Sequence, residues 1–102
     1  MLELYQTEWC PYSHTVRQRL TELGVDFVAR QVAADRVARA ELAERTGTDE
    51  IPTLVSEEGD PVTGEEAILA HLNERYDERP DAGRHRAKAR VDVPQFAELH
   101  ER

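Results

Sequence analysis

Pro11 directly follows Cys10 at the point where a strand-like run gives way to a helical one. Upstream, Leu2-Glu3-Leu4-Tyr5-Gln6 places Leu2 and Leu4 on one face, the two-residue period of a half-buried strand. Downstream, Val16, Leu20 and Leu23 recur at spacings of four and three, one apolar stripe of a helix that Gly24 ends. A proline suits the first helical position, where its missing N–H would have had no partner. The helix therefore starts at residue 11, and Thr7-Glu8-Trp9-Cys10 is the loop that turns into it. Arg17, Arg19 and Glu22 fall largely off the stripe.

The rest of the chain reads in the same way. Residues 25–29 form a second strand, partly β-branched and aromatic. Asp35 caps a helix over 36–46, with Val37, Ala40 and Leu42 inward and Gly47 at its end. Residues 50–55 are a strand with Pro52 near its start, where a proline is tolerated. Residues 57–60 turn tightly into a return strand, 61–63, and Gly64 ends the hairpin. A helix over 65–76 has Ile68, Leu69, Leu72 and Tyr76 on its apolar side. Strands joined through a helix run parallel with a right-handed crossover, and the hairpin is antiparallel. The expected architecture is an α/β sandwich, a four-stranded mixed sheet with helices on both faces, spanning 1–77. Residues 78–102 form a polar tail, a linker or a solvated helix, in which Val91, Val93, Phe96 and Leu99 are candidates to dock after Pro94.

With 102 residues the chain holds one core and not two. No apolar run reaches ten residues, so no membrane helix is expected, and the amino terminus lacks the pattern of a signal peptide. A single cysteine excludes an internal disulfide and a cysteine-rich metal site, and fits a cytoplasmic setting. The net charge of −8, with no basic stripe visible, disfavours nucleic acid as a partner. Twelve of the thirteen cationic residues are Arg, which fits a GC-rich genome, and the acidity fits a salt-rich cytoplasm. A monomer is expected.

Three segments carry candidate chemistry. A lone cysteine is commonly a small buried hydrophobe. Cys10, however, stands at a helix start, where unpaired N–H groups and the helix dipole favour negative charge on sulfur and make it a candidate nucleophile. Ser13 can donate a hydrogen bond toward that sulfur but cannot form a disulfide with it, so the second thiol of any exchange comes from another molecule. Ile51-Pro52 is either a turn device or a cis pair beside the sulfur, whose Ile51 backbone receives a peptide-like thiol as an added strand. Gly64-Glu65-Glu66 is either a hairpin end with acids that suit the helix dipole, or a pocket. In the pocket reading, N–H groups hold a ligand carboxylate and Glu66 holds its ammonium group. The four histidines show no metal spacing with one another or with Cys10.

The CPYS segment at 10–13, IPTLV at 51–55 and VTGEEAI at 62–68, in this order, resemble a glutaredoxin of the thioredoxin fold, or the glutaredoxin-like amino-terminal domain of a glutathione transferase. The resemblance covers residues 2–76. It implies that Cys10 attacks glutathionylated disulfides with Pro11, Tyr12 and Ser13 in support. It also implies that Tyr12 lines the glutathione groove, that Pro52 is cis, that Ile51 pairs with the cysteinyl backbone, and that Gly64, Glu65 and Glu66 bind the γ-glutamyl end. The implied function is a monothiol oxidoreductase that reduces mixed-disulfide proteins with glutathione or γ-glutamylcysteine as co-substrate. The alternatives are a thiol-binding or protein-docking adaptor, or a truncated transferase-like protein. Ser13 stands where dithiol members have a second cysteine. Pro11 and Tyr12 depart from the C-G-F-S pattern of members that bind iron–sulfur clusters, so neither a cluster nor another metal is expected. The lysine commonly placed before the cysteine is absent, with Arg17 or Arg45 as candidate substitutes for it.

Overall fold

The computed structural model describes residues 1–93. In chain order it contains β1 (Leu2–Gln6), α1 (Pro11–Leu23), β2 (Phe27–Gln31), a 3-10 turn (Arg36–Ala38), α2 (Ala40–Thr46), β3 (Thr53–Val55), β4 (Pro61–Thr63), α3 (Glu65–Arg75) and α4 (Ala82–Asp92). The sheet order is β2-β1-β3-β4. β1 and β2 are parallel, with Leu4 opposite Ala29, and the other pairs are antiparallel, with Leu4 opposite Leu54 and Leu54 opposite Val62. This is the four-stranded mixed sandwich that the element order implies, in the thioredoxin-like arrangement that the resemblance implies.

Strand alternation divides the core between the two faces. Leu2, Leu4 and Leu54 pack with Val16, Leu20 and Leu23 of α1 and with Ile68 and Leu72 of α3. Tyr5 and Val55 point the other way, onto Leu42 of α2. Gly24 closes α1 at φ 68, a left-handed conformation natural to glycine, and its N–H bonds back to the Leu20 and Thr21 carbonyls.

Several expectations shift. The second strand lies two residues later than read, and the helix over 36–46 is split at Arg39 into a single turn and α2. Val37 is 88% exposed and Ala40 is also exposed, so only Leu42 of that trio is buried. The side chain that turns inward instead is Arg39, which donates to the Ala33, Asp49 and Ala34 carbonyls at 2.8, 2.8 and 3.2 Å. Glu22 is also buried, because Arg19 and Arg86 reach it at 2.8 and 3.0 Å and Gln18 at 3.1 Å.

After α3 the chain forms α4 along α1. Ala82 is buried, Arg79 N–H donates to the Glu22 carbonyl at 3.0 Å, and Glu78 bridges Arg19 and Arg86 at 2.5 Å each. Val91 is 82% exposed, and Phe96 and Leu99 lie outside the described residues. Among the described residues no helix is long and apolar enough to cross a membrane.

Candidate functional site

The site lies where β1 hands over to α1 and where β3 and α3 begin. Cys10 is the N-cap of α1, with φ −79 and ψ 116, and Pro11 takes the first helical position. The sulfur does the work that a cap oxygen usually does, accepting the Ser13 backbone N–H at 3.4 Å. The expected hydroxyl donor is therefore replaced by the main chain. Ser13 itself is fully buried, and neither its Oγ nor the buried Thr7 Oγ1 has a hydrogen-bond partner among the described residues. Cys10 is less open than its place in the chain suggests, 6% exposed, with its access through a recess of about 410 Å3. Trp9, Arg36, Arg39, Glu50 and Ile51 are among the residues that line this recess.

On the other side of Ile51 lies a groove of about 620 Å3. Tyr12, Ile51, Pro52, Gly64, Glu65 and Glu66 all line it, together with Thr63 and Ala67. Three segments far apart in sequence thus meet in one depression, and Ile51 belongs to both hollows. The Ile51–Pro52 bond is cis. β3 pairs only from Thr53 onward, and among the described residues no hydrogen bond engages the Ile51 N–H or C=O. The next carbonyl, of Pro52, accepts the Gly64 N–H at 2.9 Å. That bond fixes the start of α3 against the start of β3.

Gly64 caps α3 at φ 94 and ψ 147, where a side chain would be strained, and no side chain caps the helix. The first N–H groups of a helix have no partner within it, and Glu65, Glu66 and Ala67, which carry them here, line the groove at the positive end of the helix dipole. Glu65 is half-buried and Glu66 is exposed. The arrangement offers N–H donors to a carboxylate, carboxylates to an ammonium group, and a free main-chain edge to a peptide.

Cations are placed differently from expectation. Arg45 lies behind the sheet, bonded to Glu3 and to Tyr5 Oη, and so does not serve the site. Arg17 is bonded to Gln6, to the Thr7 carbonyl and to Glu8. The recess instead contains Arg36 and Arg39, which sequence reasoning missed. Arg36 contacts Asp49 at 2.5 Å and Glu50 at 3.7 Å. The Arg36 guanidinium holds the Asp49 carboxyl below its usual range. Nothing in the hydrophobic periodicity signals either arginine, because both act on the ends of loops. Among the described residues no group of three or more His, Cys, Asp or Glu side chains could hold a metal ion.

The glutaredoxin family profile matches residues 2–59, more than half of the chain. A glutaredoxin of Pseudomonas aeruginosa is 40% identical over 53 residues, half of this chain and 61% of that protein, so the matched stretch spans less than two thirds of the curated relative. Among solved structures, a diazinon-metabolizing glutathione S-transferase of the silkworm Bombyx mori superposes with a TM-score of 0.66 at 31% identity, covering 74% of this chain and 38% of that one. A rice glutathione transferase in complex with glutathione superposes with a TM-score of 0.64 at 26% identity, covering 88% of this chain and 43% of that one.

Proposed function

The chain belongs to the glutaredoxin family, and from that premise we propose that its groove binds a γ-glutamyl thiol, glutathione or γ-glutamylcysteine, and that Cys10 exchanges disulfides with it. The supporting observation is the single groove shared by Tyr12, Ile51, Pro52, Gly64, Glu65 and Glu66, which meets the Cys10 recess at Ile51. In this reading the ligand's α-carboxylate accepts from the N–H groups at the start of α3 and its ammonium group faces Glu66. The cysteinyl backbone pairs with Ile51 as an added strand, with Tyr12 and Pro52 as the walls. The ligand's sulfur then lies toward Cys10. That glutathione occupies a structurally similar protein adds support.

Exchange proceeds in two balanced steps. Cys10 thiolate attacks the ligand sulfur of a mixed disulfide, that S–S bond breaks, a Cys10–S–S–ligand bond forms, and the protein thiolate leaves to be protonated by water. A second ligand thiolate attacks the ligand sulfur of the adduct, releasing the ligand disulfide and Cys10 thiolate. The net exchange consumes one ligand thiol and one mixed disulfide and yields the protein thiol and the ligand disulfide, so no second protein cysteine is needed and Ser13 in its place suffices. The protein acts in this reading as a cytoplasmic monomer on glutathionylated or other mixed-disulfide proteins, with no metal, nucleic acid or membrane involved.

The test separates binding from chemistry. S-methylglutathione, a thioether that cannot exchange, is expected to bind saturably in calorimetry, and Glu66→Gln to weaken it about three- to tenfold. Cys10→Ser is expected to keep this binding and to lose reduction of the mixed disulfide of glutathione and 2-mercaptoethanol. Absence of binding overturns the groove reading. A second reading, a binding-only adaptor, is favoured by the covered sulfur and by Trp9 and Tyr12, 62% and 47% exposed beside it. Turnover that Cys10→Ser leaves unchanged, or no turnover in the native chain, sinks the exchange mechanism; native inactivity with intact binding favours the adaptor.

A further inference from the structure

On the face of the sheet away from α1 and α3, beside β2 and α2, lies a hollow of about 350 Å3 that the groove and the Cys10 recess do not include. That size is at the small end of ligand pockets. Tyr5, Val32 and Leu42 give it an apolar floor. Its charges do not balance. Arg39, on its lining, is 6% exposed and donates through Nε, Nη1 and Nη2 to the carbonyls of Ala33, Asp49 and Ala34. The second N–H of Nη1 and of Nη2 has no partner among the described residues, and no carboxylate there pairs with this guanidinium. Asp49 feels its charge, but that carboxylate is bonded to Arg36. Arg30, also on the lining, gives only its Nε to Glu3, at 2.9 Å, and Glu3 is itself shared with Arg45. Arg30 Nη1 and Nη2 have no partner among the described residues. Against the two guanidinium groups the lining sets one described acid, the exposed Glu41.

The hollow is thus locally cationic in a chain of net charge −8. A buried guanidinium without a counter-ion is costly, and an anion that reaches it relieves that cost. Two cations less one acid leave a single positive charge to match, and the fork of guanidinium N–H groups suits a carboxylate. We propose that this hollow binds a small organic carboxylate, its charged end on Arg39 and Arg30 and its apolar body on Tyr5, Val32 and Leu42. The site is separate from the groove and does not rest on the groove reading.

Benzoate is the probe, with benzamide as its uncharged counterpart. In proton–nitrogen NMR titrations of the native chain, benzoate is expected to shift the amide signals of residues 29–33 and 38–42 saturably. Benzamide is expected to bind about tenfold or more weakly than benzoate. Arg30→Gln, at a half-exposed side chain outside the core, is expected to weaken benzoate about three- to tenfold. Glu41→Gln removes the like charge and is expected to strengthen it about twofold. No saturable shift of these signals below about 50 mM benzoate overturns the inference, as does benzamide binding as well as benzoate. Shifts confined to residues 9–10, 36 and 50–51 would place the anion in the Cys10 recess and also overturn it. A benzoate affinity unmoved in both variants, each with a native circular-dichroism spectrum, overturns the charge matching on which the proposal stands.

Discussion

Ser13 Oγ is sealed beneath the first turn of α1 with no partner among the described residues, while its own N–H caps the sulfur. A buried hydroxyl without a hydrogen bond is a cost rather than a support. Ser13→Ala removes that hydroxyl and leaves the backbone donor in place. Its expected effect is an unchanged or about 1 kcal/mol higher unfolding free energy in urea. Mixed-disulfide turnover is expected to stay within about threefold. A tenfold loss of turnover would assign the hydroxyl a direct part in the chemistry. The same residues show what a sequence reveals of a site. Cys10 at the helix start was legible because Pro11 admits few other positions. The sulfur's low exposure was not, since burial depends on how residues 34–39 and the loop before β3 fold beside it. Arg39 was likewise illegible: its role is to bind three carbonyls, and no spacing rule anticipates which loops will end beside a given guanidinium.

At the scale of elements, α4 is held to α1 largely by charge. Its apolar residues form no stripe, and the contact includes buried Ala82, the pairs of Glu22 and Glu78 with Arg19 and Arg86, and the hydrogen bond that Gln18 donates to the His85 carbonyl. Burial pushes the Glu22 carboxyl up, but hydrogen bonds from Arg19, Gln18 and Arg86 outweigh it and hold the carboxyl below its usual range. Glu22→Ala removes the most buried member of the network. The expected result is amide exchange in α4 faster by about tenfold or more, with β1 and β3 unaffected. Equal protection of α4 in both proteins would show that the ion pairs do not hold it. α1, β1 and α3 were readable because each buries an apolar face of regular period, and β3 and β4 because a tight turn joins them as a hairpin. α4 has no such face, and its placement depends on side chains 60 or so residues away, as the Arg86–Glu22 contact shows. The inward expectation for Val37 failed for a related reason: the break at Arg39 rotates the preceding turn out toward solvent.

Over the whole molecule, acid should act through a few carboxylates on different elements. Hydrogen bonds from Arg45, aided by Arg30, lower the Glu3 carboxyl to about 2, and those from Arg86 and Arg19 lower Glu78 to about 2. Both groups have an ordinary value of 4.5 in the unfolded chain. A carboxyl depressed by folding contributes stability that is full above the unfolded value and is lost as pH falls through the folded one. The window of loss therefore runs from about 4.5 down to about 2. Protonation reduces the net charge of −8 and relieves repulsion only down to the isoelectric point, about 4.9; below it the net charge turns positive and repulsion grows again. Added salt separates the two effects. Raising KCl from about 0.1 to about 1 M shortens the screening length from roughly 10 to 3 Å. That suppresses long-range repulsion more than the pairs at 2.5 to 3.0 Å around Glu22 and Glu78. Thermal melts are expected to show Tm rising with KCl at neutral pH and falling between about pH 4.5 and 2.5 at either salt concentration. A Tm that is flat through the acid window would mean that these pairs are equally present in the unfolded chain. A Tm that drops as salt is added at neutral pH would mean that the local pairs outweigh the repulsion.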